Sequence, residues 1–245
     1  MSRLFTIARR ELGSYFTSPI FWVLAAGFLA FTGLVFSFYV LSSSAQGGGQ
    51  ATMAPLLNLQ GTVLLFITPL VSMRLLSEEQ RSGTLEVLMT SPVHDWQVVW
   101  GKWLGAAAVM VVMIALTGFH VGVMSRLATN GMDMGPLITN YLALFLLSVS
   151  LLAVGVLTSS LTENQVVAGF LGVMFVMVLW FMGLAERITG GTGGVVSVLS
   201  YIGLSNHYLN FSEGTIDTRD VIYFVSLTVG ALYLATRVLE ARRWR

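Results

Sequence analysis

The sequence predicts an all-α polytopic membrane protein with six transmembrane helices. Three observations predict it. Of 245 residues, 55% are hydrophobic and only 10% are charged, where a soluble domain carries about 25% charged residues. Mean hydropathy is +0.78. The charges are grouped so that they fence off apolar runs long enough to cross a bilayer. A helix rises 1.5 Å per residue, so a hydrocarbon core of ~30 Å takes roughly 20 residues. Lipid offers no hydrogen bonds, so such runs are helices rather than open strands.

The first segment, 3–16, reads RLFTIARRELGSYF. Leu4, Ala8, Leu12 and Tyr15 recur at helical spacing, with Phe5 and Phe16 flanking and Arg3, Arg9 and Arg10 elsewhere on the wheel. This predicts an amphipathic helix lying in the membrane interface over 1–19, its arginines toward lipid phosphates. Ser18-Pro19 ends it. The apolar runs follow: Ile20–Leu41, Pro55–Met73, Trp103–Met124, Leu137–Leu157, Gln165–Ala185 and Val221–Thr236, the last one short. The first has 22 residues, too many for a secretory signal with its ~7–15. Ser42–Gln50, SSSAQGGGQ, interrupts the first two.

Orientation follows from the basic residues. With the N-terminus inside, ten of the thirteen Lys and Arg residues fall on the inner side and three, Arg126, Arg187 and Arg219, outside. This satisfies the positive-inside rule and places both termini in the cytoplasm. A seventh apolar stretch, 188–211, is rich in glycine. It is expected to be an outer re-entrant or interfacial segment, since a full span there would put the C-terminal arginines outside.

The richest polar segment is Arg74–Lys102. It holds four of the twelve acidic residues, Glu78, Glu79, Glu86 and Asp95. Gly83 is expected to break the helix leaving span two. Thr84–Met89 offers Leu85, Leu88 and Met89 as a short apolar face. Ser91 is expected to cap a second helix with Pro92 at its first position, running through Trp96 and Trp100 into span three. A short helix that is both acidic and apolar suits a groove in a cytoplasmic partner. In the next connection, Ser160 and Glu163 have capping-box spacing for span five.

Several chemistries are excluded. The chain has no cysteine, so it holds no disulfide or thiolate metal site. Its net charge of +1 argues against a nucleic-acid partner. Gly101-Lys102 is followed by Trp103 where a nucleotide-binding loop needs Ser or Thr, so no ATP hydrolysis is expected on this chain. His94, His120 and His207 are scattered, and no G-x-S-x-G elbow occurs. His120 alone is ionisable within a span interior, and is read as a helix–helix hydrogen-bonding residue; the scarcity of buried charge argues against a proton-coupled carrier. Gly101, Gly105, Gly118 and Gly122 allow close helix contacts in span three. The residues alone leave three classes standing: a subunit driven by a cytoplasmic partner, an ATP-independent small carrier or membrane scaffold for an extracytoplasmic partner, and, last, a membrane enzyme without a catalytic cluster.

The stretch SEEQRSGTLEVLMTSPVHDWQVVWGKWLGA, Ser77–Ala106, resembles the corresponding segment of type-2 ABC exporter permeases. SSLTENQVVAG (Ser159–Gly169) and NHYLNFSEGTIDTRDVIYFVSLT (Asn206–Thr228) resemble the branch that includes gliding-motility-associated and copper-enzyme-maturation permeases. The resemblance implies a single permease domain over 1–245 in the inner membrane of a prokaryote. It implies a coupling segment over 77–100 seated on an ABC ATPase subunit, and a second permease chain, identical or related. In some relatives a subunit with an extracytoplasmic domain joins them. The chain itself would carry no cofactor, with ATP and magnesium on the partner. Leu85, Leu88 and Met89 would supply apolar docking, and Glu78, Glu79 and Glu86 would pair with basic residues of the ATPase. The segment 188–211 would match the family's outer re-entrant element.

Overall fold

A computed structural model describes residues 3–45, 52–84, 94–128, 131–190 and 193–242. They form α1 (Arg3–Thr17), α2 (Pro19–Ala45), α3 (Ala54–Ser72), α4 (Arg74–Arg81), α5 (Asp95–Leu116), α6 (Gly118–Leu127), α7 (Met134–Leu161), α8 (Gln165–Met182), α9 (Ala185–Thr189), α10 (Gly194–Ile202), α11 (Leu204–Asn210), a 3₁₀ turn (Phe211–Glu213) and α12 (Thr218–Arg242). No strand occurs among the described residues. Six helical runs are long and apolar enough to cross a membrane: Pro19–Ser42, Ala54–Arg81, Asp95–Leu127, Met134–Leu161, Gln165–Met182 and Thr218–Ala241. The chain is an all-α polytopic membrane protein. An even number of spans returns the chain to the end where it started, so α1 and the end of α12 lie at one end of the bundle.

The last span is not short, as its apolar run suggested. Its helix has 25 residues, because polar residues at both ends of the run continue the backbone hydrogen bonding. Span three is also longer than its apolar run. It joins α5 and α6 over 33 residues, about 50 Å of helix, so it outreaches the hydrocarbon core. Its first residue is Asp95, with His94 in extended conformation ahead of it and the His94 N–H donating to Gln97 Oε1 at 3.3 Å. The expected start at Ser91-Pro92 is therefore not a continuous helix into span three, and those two residues lie outside the described residues. Span five is capped by Asn164, whose Oδ1 accepts from the N–H groups of Val166 (2.9 Å) and Val167 (3.4 Å). The expected Ser160–Glu163 capping box does not form, because Ser160 is still inside α7 and donates to the Leu157 carbonyl.

The fourth span, α7, is the axis. In its most apolar window 83% of residues are buried, against 22% in α8 and 28% in α2. Helices α12, α3, α8 and α5 pack around it. Hydroxyl groups join the helices where apolar contact alone would leave them free to slide in lipid. Ser150 Oγ reaches the Phe224 carbonyl at 2.9 Å and Thr228 Oγ1 at 3.0 Å, and the Trp103 indole donates to the Val149 carbonyl at 3.0 Å. Gly155 lies under Ser72, with no room for a side chain between α7 and α3.

At the far end of the bundle, 188–211 is not one stretch. Gly203 divides it into α10 and α11, of nine and seven residues, neither long enough to cross. The backbone at Gly203 lies against Gly183, so a side chain at Gly203 would strike the end of α8. The segment is anchored inward. Tyr208, fully buried, donates to the Leu57 carbonyl at 2.9 Å, and Thr139 Oγ1 donates to the Phe211 carbonyl at 2.8 Å.

Candidate functional site

The near end of the bundle carries a buried ion cluster built on Lys102, the only lysine of the sequence. Lys102 lies in the second turn of α5 and is 3% exposed. Its Nζ lies 3.0 Å from Glu11 Oε2 of α1 and 2.9 Å from Glu79 Oε1 of α4. Arg10 Nη2 reaches the same Glu79 oxygen at 3.4 Å. Two carboxylates therefore face two cations, which is the condition for holding such groups out of water.

Glycines permit the cluster. A methyl group at Gly105 would stand 2.8 Å from the Ala8 carbonyl oxygen and 2.7 Å from Glu11 Cβ. One at Gly101 would stand 2.9 Å from the Ile7 side chain. The two glycines, one turn apart, let α1 lie flush on α5, and Lys102 rises beside the seam. The Gly-x-x-x-Gly signal thus works within the chain, against the N-terminal helix. Among the described residues Gly118 and Gly122 have no such neighbour.

The sequence expectation for α1 holds in its periodicity and shifts in its meaning. Tyr15 is buried and Phe5 is 65% exposed, but the buried face also contains Glu11, 7% exposed. That face is turned to α5. Tyr15 donates its phenol to the Val71 carbonyl at 2.8 Å. Burial, with the charge of Glu11 beside it, pushes the Tyr15 phenol well above its usual value of 10.0.

Helix α4 is tied to α7 by serines. Ser159 Oγ accepts from the N–H groups of Leu76 and Ser77, both at 3.0 Å, and donates to the Met73 carbonyl at 2.9 Å. It serves the backbone groups at the break between α3 and α4. Gln80 Nε2 donates to the Ser160 carbonyl at 3.1 Å. Past Ser82, Gly83 adopts φ 70°, the left-handed conformation that ends a helix and that glycine takes without strain. Between α1, α4 and the start of α5 opens a polar cleft of about 430 Å³, with Lys102, Glu78 and Arg74 among its walls.

Of the predicted coupling residues, Gly83 ends α4 and Thr84 follows it. Glu78 is exposed. Glu79 is held within its own chain by Lys102 and Arg10. Asp95 is buried at the first position of α5. Leu85, Glu86, Leu88, Met89, Ser91 and Pro92 lie outside the described residues. The Glu11–Lys102 pair was missed by sequence reasoning. Its signal was there: Glu11 stands at i+3 from Ala8 and i−4 from Tyr15, in the middle of an otherwise apolar face.

The far end holds a second polar cluster. Asp220, the first acidic residue of α12, sits 2.6 Å from His207 Nδ1 and accepts from Asn210 Nδ2 at 3.0 Å. His207 Nε2 faces the Tyr201 carbonyl at 2.8 Å, and the ring stacks on Tyr223 at 3.9 Å. Both ring nitrogens face oxygen atoms. This pairs α11 with α12. Among the described residues His120 makes no hydrogen bond between helices of the kind expected. Its Nδ1 lies 3.1 Å from the Thr117 carbonyl of its own run, and its ring packs on Phe36 of span one at 4.9 Å.

Residues 5–211 match the model of a family described as ABC-2 family transporter protein. The chain is also similar to a protein of Stutzerimonas stutzeri described as probable ABC transporter permease protein NosY. The two are 29% identical over 194 residues, 74% of this chain and 68% of that one.

Proposed function

The chain belongs to the ABC-2 family of transporter proteins and is a membrane-spanning subunit of an ABC transporter, and from that premise we propose that residues 77–100 couple it to ATP hydrolysis on a partner. The family implies ABC ATPase subunits in general. The observation that carries the coupling reading is the placement of Lys102. Helix α4 leads into the segment 85–93 and α5 leads out of it. Lys102 binds both flanking helices to α1 through Glu79 and Glu11. A push on 85–93 then moves three helices as one body, and α5 carries the displacement across the bilayer as part of a 33-residue run.

In this reading the near end faces the cytoplasm with both termini, in the inner membrane of a prokaryote. Leu85, Leu88 and Met89 fill an apolar groove of the ATPase. Glu78 and Glu86 meet its basic residues, while Glu79 belongs to the internal clamp. ATP and magnesium bind the partner, and this chain performs no hydrolysis. A second permease chain completes the path, and an extracytoplasmic subunit is accommodated at the end that carries α10 and α11. The work done is export or the transmission of mechanical force. The branch resemblance names no cargo.

The test is purification of the complex from its native host in mild detergent, wild type against Leu88→Asp. A stoichiometric ATPase subunit that is lost from the variant supports the coupling assignment. A variant that retains the subunit and full coupled activity removes 77–100 from that role.

A further inference from the structure

We propose that the elbow between α1 and α2 binds an anionic phospholipid, with Arg74 holding its phosphate. Arg74 stands at the α3–α4 junction, where the second span leaves its apolar run. Its guanidinium lies 4.2 Å over the Tyr15 ring, and Nη1 donates to Ser18 Oγ at 2.8 Å. Among the described residues, the buried Nη2 has no hydrogen-bond partner. Among the described residues Arg74 has no carboxylate within ion-pair distance, whereas Lys102, in the same cleft, has two. A half-buried cation without a counter-charge is costly. At that depth the abundant anion is a lipid phosphate.

The surroundings favour a lipid over a free ion. Two hollows meet at Arg74. One is the polar cleft, which adds the hydroxyls of Ser14, Thr17 and Ser18. The other is a narrow apolar crevice of about 20 Å³ walled by Ile20, Phe21, Leu24 and Leu70; it is too small to enclose an acyl chain, but its rim offers a chain apolar side chains to lie against and offers inorganic phosphate nothing. Ile20 is 52% exposed, so the crevice is open on the outer face of the bundle. Trp22, also exposed, donates its indole N–H to the Phe16 carbonyl at 2.9 Å, and Phe16 packs beside it at 6.1 Å. Aromatic side chains so placed mark the headgroup level of a bilayer. The cleft also contains acids. Glu11 and Glu79 are neutralised by Lys102 and Arg10, and Glu78 is exposed, where water and salt screen it. The half-buried Arg74 therefore sets the sign of the site.

The experiment uses the complex, stripped of lipid in a neutral detergent and titrated with three probes. These are dioleoylphosphatidylglycerol, dioleoylglycerol (the same chains without phosphate) and sodium phosphate. Native mass spectrometry counts the adducts. The wild type is expected to retain phosphatidylglycerol and neither of the others. Arg74→Gln should weaken retention about tenfold, the worth of one charge-assisted hydrogen bond. Arg74→Lys should keep most of it, and Arg126→Gln, at the other end of the bundle, all of it. Should Arg74→Gln fail to fold, Ile20→Trp tests the same site. It fills the crevice from an exposed position and should lower retention with Arg74 untouched. Retention of phosphatidylglycerol unchanged in Arg74→Gln, or in Ile20→Trp, overturns the proposal. Equal retention of dioleoylglycerol overturns the role of the phosphate. An equal response to sodium phosphate makes this an anion site rather than a lipid site.

Discussion

Lys102 neutralises two carboxylates that the fold has removed from water. Replacing it by methionine leaves the buried Glu11 without a cation and Glu79 with Arg10 alone, so the variant should lose about 3–5 kcal/mol, read as a lower thermal midpoint in detergent. Adding Glu11→Leu should recover a large part of that loss, because Glu79 retains Arg10. A double variant no more stable than Lys102→Met would show that the pair carries no coupling energy. Tyr15 gives a second residue-scale prediction. Its phenol titrates higher when folded than when unfolded, so the folded state binds the proton more tightly. The associated stability is complete below about pH 10 and falls as pH rises from there. Tyr15→Phe should cost about 1 kcal/mol at neutral pH through the lost bond to Val71, and should remove part of the alkaline decline. An unaltered alkaline limb would assign that decline to other groups. Glu11 was readable as an oddity on an apolar face. Its partner was not, because pairing residues 91 positions apart takes a tertiary contact that no local pattern states.

At the level of the helix, the contact between α1 and α5 depends on two glycines. Gly105→Val should lift α1 from α5, since even a methyl group meets the Ala8 carbonyl at 2.8 Å. Limited proteolysis after Arg9 or Arg10 should then become rapid, while the spans stay folded. Resistance equal to the wild type would mean that α1 accommodates the side chain by sliding. Hydropathy located every span, because apolar length is a one-dimensional property. It misjudged ends for a definite reason: polar residues such as Thr218 and Asp95 continue a helix beyond the bilayer, where water supplies what lipid cannot. Capping was the least legible feature. Asn164, not Ser160, starts α8, since the preceding helix runs through Ser160 and consumes its hydroxyl on the Leu157 carbonyl.

At the scale of the whole molecule, six spans and a positive-inside bias predict an orientation that labelling can check. The sequence contains no cysteine, so single cysteines report without background. A cysteine at Thr84 should react with an impermeant maleimide only after the membrane is opened, and one at Ser197 should react in intact cells. The reverse pattern would invert the orientation. The membrane architecture was legible because solvent exclusion constrains the entire chain. The far-end cluster of His207 and Asp220 was not, since its residues belong to separate helices brought together by the 3₁₀ turn Phe211–Glu213 and the left-handed Gly214 after it. The Lys102 cluster also has a chemical consequence. Reagents that acylate primary amines on side chains have a single target in this chain, and it lies shut between two carboxylates. Amine cross-linkers will therefore find no open side-chain amine on the folded subunit, and a failure to cross-link through lysine says nothing about contact with a partner. Acylation of Lys102, when it occurs, times the opening of the clamp.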